Sequence, residues 1–230
     1  MPRARGLPRR LAYVMVGLVL AASACEAGGS GPAASPGSDA ASSTSTSASA
    51  AQPTDQPRVG DLDQLVEIRD FGIGFAIPKD WTTLETQDVA LQGRTTRRAA
   101  RLLGISPEQV VQGMRKQGLQ TFSIAPRDPD ELSPDMVTTA RLQGGWLTDD
   151  RLEQRLTASG AKLGPFRHPT TAVGQATAVT FVSTPNRLLL HGQVLVVDVG
   201  ADAVIIVVLS VNSARPFTVE QQIERTLQRL

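Results

Sequence analysis

Regular spacing of apolar side chains divides the chain beyond residue 57 into short strands and helices. The large residues of Phe71–Ile77 recur at every second position, which predicts a strand that Pro78 ends. Five further strand-like runs follow it: Leu119–Ala125, Met136–Leu142, Gln175–Ser183, Leu188–Val199 and Ala203–Val211. A turn at Gly200-Ala201-Asp202 separates the last two runs, so we expect them to pair antiparallel.

Capping residues predict two helices between these strands. Ser106 and Gln109 form a capping box that opens a helix, and Gly118 ends it. Thr148 caps a second helix over Asp149–Ser159, in which apolar positions four residues apart face the core. We also expect extra helix ahead of Ser106, so that residues 95–118 form a local helical hairpin.

A further helix is predicted at the C terminus. Thr218 and Gln221 make a second capping box, and an apolar stripe recurs at spacings of four, four and three. This stripe consists of Val219, Ile223, Leu227 and Leu230. The run Ala203–Leu209 is continuously apolar but too short to cross a bilayer, which indicates a central strand. The order of elements predicts an α+β fold with a largely antiparallel sheet.

The first 25 residues divide into a basic head and an uncharged run that ends at a cysteine. A basic head, Met1–Arg10, precedes the uncharged run Leu11–Ala24. At 1.5 Å per residue this run spans about 21 Å, less than the ~30 Å of a hydrocarbon core. The residues Ala-Ser-Ala-Cys that end at Cys25 resemble the lipobox of lipoproteins, although Ala22 stands where that motif most often has leucine. The resemblance implies cleavage after Ala24 and a diacylglyceryl group on the Cys25 thiol.

Such a lipid would hold the chain on the extracytoplasmic face of the cell membrane, because a diacylated cysteine supplies the two chains that stable attachment needs. The alternative is an ordinary signal-peptidase site, which would release a soluble protein with a free thiol at Cys25. Residues 26–57 come next, and 27 of these 32 residues are Ala, Ser, Thr, Gly or Pro. This composition predicts a disordered linker with a mean span of about 30 Å.

Composition narrows the functional classes open to the domain over residues 58–230. The whole chain has 23 basic and 22 acidic residues. Without the four arginines of the signal and the three acids of the linker, nineteen of each remain in the domain. This balance argues against a general nucleic-acid binder. Because the chain has one cysteine and two histidines, we expect no intrachain disulfide, no metal site and no cofactor.

The motifs and their order resemble the PsbP-like fold, which includes the LpqN-type lipoproteins of actinobacteria. Matching features are the strand end Ile77-Pro78-x-x-Trp81, the strand Thr121–Ala125, the helix Leu152–Gly160, the turn Val173–Ala176, the long hairpin and the final helix. Asp80 stands where the family commonly has glycine. The resemblance implies an α/β/α sandwich around an antiparallel sheet. It also implies an accessory or binding role, since the family has no shared catalytic apparatus.

Two sets of side chains are candidates for contacts with other molecules. The first is a basic set at helical spacing, consisting of Arg94, Arg97, Arg98 and Arg101. These arginines share one helix face that could contact anionic headgroups, with a solvated face as the alternative. The surrounding segment has the form of a helix-turn-helix, but an exported protein is separated from DNA, so a plain hairpin is expected. Trp81 and Trp146 are candidates for lining a ligand cleft, with core or rim packing as the alternative.

The sequence leaves three functional hypotheses. The leading one is a membrane-tethered, non-enzymatic envelope lipoprotein that acts as a binding or accessory module through contacts with an unknown envelope protein. A second is a carrier of a small apolar ligand, which requires an apolar cavity between sheet and helices. The third is an envelope hydrolase, which requires a titratable pair within hydrogen-bond reach in a cleft. The chain has no Gly-x-Ser-x-Gly elbow to support the third.

Overall fold

The structure, a computed structural model, describes residues 60, 63–127, 132–142 and 146–230. Within them the strands are β1 (Asp63–Ile68), β2 (Ile73–Pro78), β3 (Thr82–Glu85), β4 (Leu119–Ile124), β5 (Met136–Leu142), β6 (Lys162–Arg167), β7 (Ala176–Ser183), β8 (Leu190–Asp198), β9 (Ala203–Ser210) and β10 (Gln228–Arg229). The helices are α1 (Arg94–Leu103), α2 (Pro107–Lys116), α3 (Asp149–Ala158) and α4 (Arg215–Thr226).

The strands form two sheets in which every described pair runs antiparallel. Seven strands make the large sheet, in the order β3-β4-β5-β9-β8-β7-β6, and β1-β2-β10 make a small one. The last two long strands, β8 and β9, pair from His191 opposite Ser210 to Asp198 opposite Ala203. This pairing confirms the hairpin predicted from the turn at Gly200, whose φ of 101° only glycine adopts readily.

The strand β9 lies at the centre of the large sheet and separates two hydrophobic cores. Side chains alternate between the two faces of a strand. The odd-numbered residues of β9 from 203 to 209 accordingly pack into one core and the even-numbered residues from 204 to 208 into the other. An unbroken apolar run is therefore required here, because both faces of β9 are covered. The predicted central strand is confirmed.

Helices cover one face of the large sheet, and a mixed layer covers the other. Ala99 and Ala100 of α1, Val110 and Met114 of α2, and Leu152 of α3 pack in the first core. In the second core the sheet packs against Val219 and Ile223 of α4 and against β1 and β2. The predicted α+β sandwich with an antiparallel sheet is confirmed, with the difference that α4 shares its layer with the small sheet.

Local signals correctly predicted several element ends, while β1, β3, β6 and β10 were not predicted. Ser106 and Gln109 form the predicted capping box, with both reciprocal bonds in place, and Gly118 follows α2 with a φ of 62°. Thr148 occupies the N-cap of α3, although its side chain makes no capping bond. The strand predicted over Phe71–Ile77 begins later, at Ile73, because residues 69–71 form a 3-10 turn that ends at a left-handed Gly72.

The prediction for the C-terminal helix was wrong at both ends. The helix begins at Arg215, so Thr218 lies inside it and donates to the carbonyl of Ala214 instead of capping. A proline at position 216 suits the first turn of a helix, and the N-cap is Ala214, four residues before the predicted Thr218. Leu230 lies beyond the helix and is 56% exposed, so it is not part of the inner stripe.

Candidate functional site

A pocket lies between α2 and the large sheet, on the face that the first three helices cover. The face of α2 that borders it carries Gln109, Val110, Gly113 and Met114, and Gln117 follows at the C-cap. Leu103 at the end of α1 and Ile105 in the following turn close one side. The empty space is about 530 Å³, part of which is the open mouth.

The helical hairpin that carries these residues is built by local signals. Gly104 ends α1 in the left-handed conformation, with a φ of 69°. The Ser106 cap then starts α2, so that only two residues separate the helix-ending glycine from the first residue of α2. Val110 and Met114, one turn apart, are almost fully buried and hold α2 on the sheet. The predicted local helical hairpin is confirmed.

Strands β4, β5 and β9 supply the floor of the pocket. The floor residues are Leu119, Phe122, Met136, Thr138 and Leu209. Phe122 and Thr138 lie opposite each other in the β4–β5 pairing. A register shift between Leu119 and Thr121 allows Leu119 and Phe122 to border the same space although three positions separate them.

The pocket is apolar and contains no ionisable side chain among its described lining residues. Of its polar members, Gln109 has its side-chain oxygen engaged with the amide of Ser106 in the capping box. Thr138 is 7% exposed, and its hydroxyl is buried without a hydrogen-bond partner in the described structure. The arrangement can bury an apolar group, and its described lining residues supply no acidic or basic side chain.

The structure places the four predicted arginines on one outer face of α1. Arg94, Arg97, Arg98 and Arg101 are all exposed, while Thr96, Ala99 and Ala100 of the same helix are buried. We call this set the arginine face. Arg98 donates to the backbone oxygen of Asp80 at 3.3 Å. The spacing therefore predicted a common face correctly, while contact with an anionic surface stays a prediction.

The other predicted site residues lie away from the pocket or outside the described residues. Trp81 is 8% exposed and packs in the second core, on the opposite face of the large sheet. Trp146 is 40% exposed and is not among the lining residues. Cys25 and the linker lie outside the described residues.

A histidine and an aspartate meet near the start of α3. Nε2 of His168 lies 3.2 Å from Oδ2 of Asp149, and its Nδ1 lies 3.4 Å from Oγ1 of Thr177. A hydroxyl, an imidazole and a carboxylate in series are the parts of a hydrolase triad. Thr177 is only 1% exposed, however, so its hydroxyl is shielded from any substrate. None of the three borders the pocket, and their contacts join the loop after β6 to α3.

A partly buried ion cluster, which the sequence did not predict, lies under α4. Nη2 of Arg167 on β6 contacts Oε1 of Glu220 at 2.6 Å and Oε1 of Glu224 at 3.1 Å. Glu220 is fully buried, and burial raises its pKa to about 8, helped by the hydrogen bond and charge of Glu224 and opposed by Arg167. Its Oε2 and the side chain of Gln193 on β8 are buried without a hydrogen-bond partner in the described structure.

Comparison with known proteins gives likeness in structure alone. The sequence matches no family model and no curated protein. The chain is similar to cyanobacterial PsbP from Synechocystis sp. PCC 6803, with 13% identity, a TM-score of 0.45, and coverage of 75% of this chain and 95% of that one. It is also similar to LpqN of Mycobacterium tuberculosis, which is involved in cell envelope biogenesis, with 12% identity, a TM-score of 0.40, and coverage of 72% and 89%. Sequence identities and TM-scores of this size assign no function to the chain.

Two features are absent from the residues that the structure describes. None of their helices has the length and apolar character needed to cross a bilayer. They also contain no group of three or more His, Cys, Asp or Glu side chains that could hold a metal ion.

Proposed function

We propose that this chain is a lipid-anchored protein of the cell envelope whose domain binds a small apolar molecule in the pocket beneath α2. The observation that carries the proposal is the pocket itself, which is open, apolar and free of ionisable lining residues in the described structure. Each methylene group buried there contributes about 0.8 kcal/mol, so a short alkyl chain or a small ring would bind through burial alone.

The pocket favours binding of a small ligand over contacts with an envelope protein, which was the leading hypothesis from the sequence. A carrier of a small apolar ligand requires an apolar cavity between sheet and helices, and the pocket beneath α2 is such a cavity. Binding without chemistry is supported by the position of the His168 and Asp149 pair, which lies outside the pocket. Contacts with an envelope protein remain the second candidate.

A matched pair of variants tests the pocket. Gly113 lies on the lining face of α2, one turn from Gln109 and one turn from Gln117. In Gly113→Phe a ring occupies the pocket, whereas Gly113→Ala also replaces the glycine by a better helix former but adds little volume. We expect the uncharged fluorophore N-phenyl-1-naphthylamine to bind saturably to the chain from Glu26 onward and to Gly113→Ala. Gly113→Phe should bind at least about tenfold more weakly, and equal affinity for all three proteins would contradict the proposal.

The lipid anchor is tested separately. Intact-mass analysis of the protein extracted from its own membrane fraction should show loss of residues 1–24 and a diacyl or triacyl addition on Cys25. Cleavage at the same bond without a lipid would instead indicate a secreted soluble protein. The pocket assay is independent of this result, because it uses a chain that lacks Cys25.

A further inference from the structure

We propose that the arginine face of α1 docks the domain on an anionic lipid bilayer. Its four guanidinium groups are exposed, and none has a carboxylate within ion-pair distance among the residues that the structure describes. Four like charges within about 15 Å, the length of a ten-residue helix, repel one another and create a local positive potential. A surface with mobile negative charges relieves that repulsion.

Three arginines elsewhere in the domain have close acidic partners. Arg69 lies within 3.5 Å of three carboxylates, and Arg167 lies within 3.1 Å of two. Arg215 pairs with Asp135 at 2.9 Å. Residues 58–230 contain nineteen acidic residues that could pair with the arginine face. None of them lies in the first turn of α1, where it would be next to these arginines. The arginine face is therefore a local concentration of four positive charges without ion-pair partners in the described structure, in a domain whose basic and acidic residues balance overall.

A bilayer is the partner that the rest of the chain favours. Thirty-four residues separate Cys25 from Gly60, and a chain of that length and composition spans about 30 Å, so an anchored domain stays within reach of the lipid surface. Leu91, three residues before Arg94, is 48% exposed and could enter the headgroup region. Because the anchor keeps the local lipid concentration high, even a weak surface contact would orient the domain.

Docking through α1 would bring the pocket to the membrane surface, and this consequence rests on the proposed function. Arg101 lies two residues before Leu103, which lines the pocket. The pocket would therefore lie within about one helix length of the headgroups. An apolar ligand could then pass between bilayer and pocket over a short distance through water.

Vesicle sedimentation tests the docking with the chain from Glu26 onward. This chain lacks the lipidated cysteine, and it retains both cores, whose described members lie between Val66 and Leu227. Vesicles are phosphatidylcholine alone or with 30% phosphatidylglycerol, in about 25 mM or 500 mM salt. We expect pelleting with the anionic vesicles at low salt and its loss at high salt, where the screening length falls to a few ångströms.

Charge-matched variants identify the surface that binds the anionic vesicles. Replacement of the arginine face by glutamine should weaken partitioning at least tenfold, because each basic residue near an anionic surface contributes up to about a factor of five. Replacement of the same four by lysine should preserve partitioning. The control variant carries the same loss of charge on four other elements, at Arg115, Arg151, Lys162 and Arg225.

Three results would overturn the docking proposal. One is equal partitioning of the glutamine variant and the control variant. Another is equal partitioning of the unsubstituted chain on neutral and anionic vesicles. The third is its failure to pellet at low salt, which would leave an acidic protein as the remaining class of partner. The assay contains no apolar ligand, so its failure is distinguishable from failure of the pocket.

Discussion

Replacement of Glu220 by glutamine should remove a large part of the pH dependence of folding. In the native protein, burial raises the pKa of Glu220 to about 8, while the same carboxyl in an unfolded chain has a pKa near 4.5. Below pH 4.5 the Glu220 carboxyl is protonated in both the folded and the unfolded protein, so the stability that its burial contributes is fully present. As the pH rises from 4.5 towards 8, the unfolded chain releases the proton and the folded chain retains it. Stability therefore falls across this window.

The magnitude follows from the difference of about 3.5 pH units, which corresponds to at most about 5 kcal/mol at 1.36 kcal/mol per unit. The cluster is not sealed, because the side chain of Arg167 is 39% exposed and that of Glu224 is 16% exposed. Solvent screening therefore reduces the expected loss to about 2–4 kcal/mol. Glu220→Gln keeps the shape of the side chain and an oxygen for Arg167, but it has no proton to release.

Urea unfolding at one-unit steps from pH 5 to pH 9 measures the effect. We expect the variant to match the native protein at pH 5 and to exceed it by about 2–4 kcal/mol at pH 9. Glu224→Gln is the control, since it leaves Glu220 buried and should retain most of the pH trend. If the difference between Glu220→Gln and the native protein stays constant from pH 5 to pH 9, Glu220 is ionised throughout and the assignment of its pKa is wrong.

Three further predictions concern single positions. Gly192→Ala should lower the free energy of unfolding by about 1–3 kcal/mol in urea titrations, because the new Cβ would lie 2.1 Å from the ring of Phe181. A loss below about 0.5 kcal/mol would mean that the ring has room to move. Thr138→Val should raise stability by about 0.5–1.5 kcal/mol, because it removes a buried hydroxyl without a partner; a decrease would show that this hydroxyl is bonded. Cys25→Ser should leave the protein out of the membrane fraction or unprocessed on immunoblots of fractionated cells, and attachment at the native level would contradict the lipoprotein interpretation.

Much of the architecture could be predicted because its signals are local. The apolar run of β9, the Ser106 capping box and the spacing of the arginines each depend on neighbours within a few residues. The edge strand β6 was missed because Gly164 and Pro165 break the pattern of a strand, although Gly164 is what allows close packing on Thr180. The two-residue strand β10 has no pattern to detect.

The pocket and the ion cluster could not be predicted, since both depend on distant residues. Arg167 is 53 residues from Glu220 in the chain, and only the pairing of β6 with β7 brings it under α4. One signal was present, because Glu220 follows Val219 and precedes Ile223 within the buried stripe of α4. A glutamate on an apolar helix face indicates a buried partner, but it does not identify that partner. The pocket depends on the register shift in β4, which leaves no mark in the sequence.

The most direct test of the central claim is to locate a bound apolar molecule in the domain. Methyl resonances of the chain from Glu26 onward would be followed by NMR during titration with 1-octanol. The proposal predicts saturable shifts at the pocket methyls of Ile105, Val110 and Met114, and none at Leu195 or Ile223 in the opposite core. Shifts confined to the opposite core, or the absence of any saturable shift, would contradict the assignment of the pocket as the binding site.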